Sequence, residues 1–245
     1  MNEGKGTVIS MKIIQELKSE KRHDFDSLRS VMAVLRGEGG CPWDREQTHA
    51  SIRGCLIEET YEVVEAIDTD NPALLREELG DLLFQAVFHA RIEEEQGAFD
   101  IDDVIHDITE KMIHRHPHVF STVEAATSEA VLQNWDEIKK EEKQIESVTQ
   151  SLRRIPPYLP ALMRAQKIQD KARKKLSIGY LSSGEALSDA KRCISGESED
   201  FAADLANTVF ALCAAAQLEG IDLEAALTQR CDTFITEAER TEMAQ

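Results

Sequence analysis

Glu58, Glu59 and Glu62 form the pattern E-E-x-x-E, and Glu78 and Asp81 repeat the theme with a three-residue step. Residues three and four apart on a helix share one face, with Cβ atoms about 5–6 Å apart. Like charges at that spacing repel, so the arrangement is mildly destabilising unless something positive sits among them. Hard carboxylate oxygens with no accompanying His or Cys suit Mg²⁺, with Mn²⁺ as a substitute, rather than zinc. For a single E-x-x-E, a solvated acidic face is the better reading. Two acidic pairs on consecutive helices, each embedded among apolar residues, favour a metal site instead. Carboxylates from facing helices are a known way to build one inside a helical bundle.

A cationic group follows. Lys111 and Arg115 are four residues apart and share a helix face, and Lys139 follows Trp135 by the same step. Cations near a metal site suit an anionic, phosphate-bearing substrate whose charge they share with the metal. The competing reading of Lys111 and Arg115 is favourable charge at a helix C-terminus, which requires no ligand. Trp135 equally suits a core anchor. His114, His116 and His118 alternate around Pro117, a spacing that reads as structural.

These residues need helices to position them, and the chain supplies helical periodicity. Leu28, Val31, Met32 and Leu35 share one face, and Gly37, Gly39 and Gly40 end that helix before the compact segment Cys41-Pro42-Trp43-Asp44. A second helix is predicted from about His49 to Ile67, and a turn at Asp70, Asn71 and Pro72 leads to a third that reaches about Glu95. Its apolar face is Leu75, Leu79, Leu82, Leu83, Ala86, Val87 and Ala90. Asp100 or Asp102 caps a fourth that reaches about His114. Another helix is predicted around Ala130 to Glu146, then a linker at Pro156, Pro157 and Pro160, with helices resuming at about Ala161. No convincing alternating strand is present. The expected class is all-α, a helical bundle with short connections.

The bulk chemistry narrows the partners. Among 245 residues, 46 are acidic and 28 basic, for a formal charge of −18. Affinity for nucleic acid rests largely on cations that neutralise phosphates, so this balance argues against a duplex-binding surface. A small polyanion is accommodated only if divalent metal offsets the repulsion. The five cysteines lack zinc-ligand spacing, the N-terminus lacks the apolar core of a signal peptide, and no apolar run approaches the length of a membrane span. A cytoplasmic protein without membrane or nucleic-acid partners is the expectation.

A weak internal repeat is also present. Glu78-Leu79-Gly80-Asp81-Leu82-Leu83-Phe84 is echoed by Asp204-Leu205-Ala206-Asn207-Thr208-Val209-Phe210. Aligned without gaps, Glu59 falls opposite Glu185, Glu62 opposite Ser188, Glu78 opposite Asp204 and Asp81 opposite Asn207. Further on, Phe99-Asp100-Ile101-Asp102 resembles Ile221-Asp222-Leu223-Glu224 with the spacing four residues shorter, and in that register Lys111 falls opposite Thr233 and Arg115 opposite Glu237. The second copy is therefore depleted in both metal and phosphate groups. The expected organisation is a polar tail over 1–24, partly helical, and a catalytic domain over 25–125. A connecting helix and linker over 126–160 then lead to a degenerate second domain over 161–245.

The run CPWDREQTHASIRGCLIEETYEVVEAI, then REELGDLLFQAVFHARIEEEQGAFDIDDVI, then EKMIHRHPHVF resembles the MazG family, as do NWDEIKKEEK and IPPYLPALMRAQKIQDKA. Together these cover most of residues 26 to 172. The resemblance implies an all-α nucleoside triphosphate pyrophosphohydrolase, typically with tandem copies of the domain in a homodimer. It implies Mg²⁺ ligands at Glu59, Glu62, Glu78 and Asp81, with Glu58 as a supporting acid and Glu58 or Glu59 as the base. It further implies triphosphate contacts from Lys111 and Arg115, nucleotide contacts from Trp135 and Lys139, and packing of Trp43 near the base. The alternative is a non-catalytic MazG-like regulatory protein that senses nucleotide or binds a partner.

Overall fold

The computed structural model describes residues 11–121, 147–195 and 200–243, together with residues 127, 131, 135 and 138. Among these residues there is no β-strand, and the expected all-α class holds. The chain divides into two compact units, Met1–Val131 and Leu132–Gln245.

The first unit opens with α1 (Met11–Ser19), a helix within the expected polar tail. Next comes α2 (Phe25–Arg36), whose N-terminus is closed by the Asp24 carboxylate accepting from Ser27 N at 2.9 Å. Side-chain capping of this kind satisfies a backbone N–H that the helix itself leaves open. The compact CPWD segment is itself a short helix, α3 (Pro42–Glu46), with Pro42 in the first turn, where a missing N–H costs nothing. The long pair α4 (His49–Asp68) and α5 (Pro72–Gln96) follows.

The connection between α4 and α5 is only three residues, so the two helices run antiparallel. Asp70 takes a left-handed conformation (φ 49°), and the Asn71 side chain accepts from Leu74 N at 3.2 Å. At the other end of α5, Gly97 adopts φ 73°, and Ala98 N donates back to Glu93 O at 3.1 Å. That backbone is the left-handed C-terminal cap that glycine accepts without strain. Asp100, one of the two residues expected to cap the next helix, caps α6 (Ile101–Arg115) by accepting from Asp102 N and Asp103 N. Pro117 then starts a single-turn helix, α7 (Pro117–Phe120), rather than only interrupting the chain.

The core of this unit lies at one end of the helix pair. Met32, Ile52, Val87, Phe88, Ala90, Ile92 and Ile101 pack together, with Phe25, Leu28 and Phe84 against them. Arg36 locks the same end: it pairs with Glu95 at 2.8 Å, donates to Gln47 O at 3.2 Å and covers the Phe88 ring. The other end of α4 and α5 carries the acidic residues and is left open. The core therefore fixes the helix pair from one end and holds the acids at the other.

The second unit contains α8 (Val148–Arg153), α9 (Ala161–Leu176), α10 (Ser183–Ile194), α11 (Phe201–Leu218) and α12 (Leu223–Met243). Pro156, Pro157 and Pro160 lie inside this unit, between α8 and α9. These two helices pack together, Ile155 is buried, and Lys171 Nζ donates to Ser151 O at 3.2 Å. Prolines break a helix without parting the segments on either side, and here they lie at a corner between two packed helices. Helices α10 and α11 form the main pair of the unit, around Ala186, Ala214 and Ala215, with Tyr180 packed on them. Helix α11 is long and apolar enough by length and composition to cross a membrane, a feature that its alanines disguise in the sequence.

Candidate metal centre

Helical spacing predicts that the acids of α4 and α5 converge, and the antiparallel pair brings them together. Glu62 lies six residues before the end of α4 and Glu78 six residues after the start of α5, so they meet across the helix interface. Glu59 and Asp81, one turn further from the connection, do the same. Glu59, Glu78 and Asp81 each offer a carboxylate oxygen, and these oxygens all lie within 4.8 Å of one another. Glu62 lies close enough to Glu59 and Glu78 to raise the pKa of both.

The electrostatics are those of carboxyls crowded together. Burial pushes the Glu59 carboxyl above the ordinary range, and Asp81, Glu62 and Glu78 push it the same way. Glu78, only 8% exposed, is raised first by burial and then by Glu62, Glu77 and Asp81. Like charges this close disfavour the fully ionised form of each carboxyl. A divalent cation with oxygen ligands removes that repulsion, and an all-carboxylate donor set fits Mg²⁺ or Mn²⁺ better than a softer metal. The residues present fit the ion.

The remaining candidates lie outside this group. Glu58 is one residue round the helix from Glu59, on an exposed part of α4. Lys111 is exposed and Arg115 half-buried, both in the last turns of α6, and Trp43 is exposed on α3. Trp135 is half-buried and belongs to the second unit, and Lys139 lies outside the described residues.

The second unit holds residues that repeat reasoning missed. Glu185, aligned with Glu59, is a capping residue: its carboxylate accepts from Leu181 N at 2.9 Å at the start of α10. The side chains lining a recess with Asp204 and Asn207 are instead Tyr180, Asp189, Arg192, Cys193 and Phe210. The signal that finds them is distance from the helix connection rather than position in an ungapped alignment. Six residues separate α10 from α11 where three separate α4 from α5.

Fold and site together define an all-α protein with a cluster of carboxylates on an antiparallel helix pair. Residues 47–120 match the model of the MazG nucleotide pyrophosphohydrolase domain. The chain is 49% identical over 148 residues to a nucleoside triphosphate pyrophosphohydrolase of Escherichia coli K12, covering 60% of this chain and 56% of that protein. Similarity to the Thermotoga maritima nucleoside triphosphate pyrophosphohydrolase/pyrophosphatase MazG is 47% over 148 residues, with the same coverage of 60% and 56%. An uncharacterized Bacillus subtilis protein, YabN, is 49% identical over 158 residues, which are 64% of this chain and 32% of YabN. The matches span between about a third and just over half of these relatives' length.

Proposed function

We propose that this protein is a Mg²⁺-dependent nucleoside triphosphate pyrophosphohydrolase that converts an NTP or dNTP and water to the monophosphate and pyrophosphate. The observation that carries the reading is the convergence of Glu59, Glu78 and Asp81 oxygens within 4.8 Å, inside a MazG domain. Glu59, Glu62, Glu78 and Asp81 would hold the cation. When bound, it supplies a Lewis acid for the phosphate oxygens and a lowered pKa for an attached water. Water attacks the α-phosphorus, the bond to the bridging oxygen breaks, and the electron pair leaves with pyrophosphate. Glu58 or Glu59 accepts the water's proton. Lys111 and Arg115 offset charge on the triphosphate, and Trp135, Lys139 and Trp43 are the candidate nucleotide contacts.

The test is pyrophosphate release from a panel of NTPs and dNTPs with and without Mg²⁺. Metal-dependent release is expected; nucleotide binding without turnover would overturn the enzyme reading and leave a sensing protein. We also propose a homodimer. Ile57, Tyr61, Val64, Ile67, Leu79 and Leu83 are apolar yet 43–58% exposed on α4 and α5, a contiguous face of the kind that marks an interface. Tyr61→Glu is expected to shift the mass in sedimentation equilibrium from two chains to one; an unchanged mass would place the contact elsewhere. The second unit is proposed to be catalytically inactive, and the whole protein to be cytoplasmic, without nucleic-acid or membrane partners.

A further inference from the structure

We infer that in the second unit the guanidinium of Arg192, paired with Asp189 on the same helix, supplies the positive charge that a divalent cation would supply in the first, so that this unit is complete without metal. Arg192 lies two residues before the end of α10, and Asp204 three residues after the start of α11. They therefore face each other across the helix pair as Glu62 and Glu78 do in the first unit. Asp189, one turn back from Arg192, faces Asn207 in the same way, as Glu59 faces Asp81. All four line one recess of about 390 Å³ with Tyr180, Cys193 and Phe210. The E-x-x-E and E-x-x-D of the first unit are thus replaced by D-x-x-R and D-x-x-N.

The chemistry of the recess does not fit a metal ion. Asp189 accepts from Tyr180 Oη at 2.5 Å through one oxygen and from Arg192 Nε at 3.0 Å through the other. Both of its oxygens are thereby committed to donors, which holds the carboxylate ionised beside a fixed positive charge. Asn207 offers a neutral amide in place of the fourth carboxylate. Where Glu59, Glu78 and Asp81 crowd their carboxylate oxygens together, Asp189 has a counter-ion on its own helix. A guanidinium is permanently charged and has planar donors that match carboxylate geometry, which suits it to replace a bound cation.

The test uses Mn²⁺ binding to the full chain, followed by electron paramagnetic resonance, in a Glu62→Ala/Asp81→Ala background that disables the first site. No ordered Mn²⁺ site is expected there, and adding Arg192→Glu with Asn207→Asp is expected to create one of about one ion per chain. The inference is overturned by a residual Mn²⁺ site that Asp204→Ala removes, or by no gain of a site in the quadruple variant while circular dichroism shows it folded. If that variant unfolds without metal, refolding on Mn²⁺ supports the inference and failure to refold on Mn²⁺ overturns it. An unchanged thermal midpoint in Arg192→Met on the wild-type chain, which adds no acid, also overturns it, since the counter-ion would then have no effect. Loss of the first site's metal reading shows separately, as absence of Mn²⁺ binding to the wild-type chain.

Discussion

Glu78 is a carboxylate buried among other carboxylates, and a bound cation would offset the cost of that placement. Removing a ligand from such a set leaves the cation under-coordinated. Glu62→Ala and Asp81→Ala are each expected to lower pyrophosphate release at least about a hundredfold, since even supporting partners of metal ligands cost 10–100-fold. Helicity by circular dichroism should be retained. A second residue-scale prediction concerns His89. Its Nδ1 lies 2.7 Å from His49 Nδ1, and His49 Nε2 lies 2.6 Å from Glu93. The two rings are nearly parallel, with centroids 5.0 Å apart, and meet edge to edge through this bond. A single proton serves the bond between the two Nδ1 atoms, and a second would break it. Burial, and then the neighbouring His49, hold the His89 pKa below its usual 6.5. The unfolded chain therefore takes up this proton more readily than the folded one. Stability from this pair is complete above about pH 6.5 and falls as pH drops through that value towards the lower folded pKa. Urea midpoints at pH 8 and pH 5.5 should show the decline, and His89→Gln should reduce it. The four acids were legible because helical spacing is a property of sequence. The His49–His89 contact, between residues forty apart, was not.

At the scale of the element, caps and turns decide where α4 and α5 begin and end, and therefore which acids meet. Gly97 ends α5 at φ 73°, and a Cβ there meets nothing within 4 Å. Gly97→Ala is therefore expected to cost about 1 kcal/mol from backbone conformation alone, read from the denaturant midpoint at unchanged m. A larger loss would reveal a packing role that the open space does not show. Helix boundaries were legible wherever a cap or a glycine marked them: Asn71, Gly97 and Asp100 stand where a reader of the sequence places them. The short helices α3, α7 and α8 were not predicted, since one or two turns carry too little periodicity to register. The helix expected over 130–146 falls mostly outside the described residues. The length of the α10–α11 connection was the costly omission, because it moved Glu185 to a cap and brought Arg192 to the recess.

At the scale of the whole molecule, a chain with a formal charge of −18 concentrates several of its acids at one point and invites a cation there. A ligand that binds only the folded state stabilises it by about 2.7 kcal/mol at a hundred times its dissociation constant. Saturating Mg²⁺ should raise the thermal midpoint of the first unit, with the gain absent in Asp81→Ala. The second unit should not respond. Asp204→Ala should leave pyrophosphate release within about twofold of wild type, a surface-like change by ordinary mutational standards; a large loss would mean that the second unit takes part in turnover. By itself the sequence determined the helical class and the positions of Glu59, Glu62, Glu78 and Asp81, because helix periodicity and caps are local and act within a few turns. Only the tertiary structure decided which side chains face one another across each helix pair. That pairing is set by distance from the connecting turn and by the core that clamps the far end, neither of which an ungapped repeat can show. The same rule that joins Glu59 to Asp81 over a three-residue turn joins Asp189 to Asn207 over a six-residue one, and it puts Arg192 beside them.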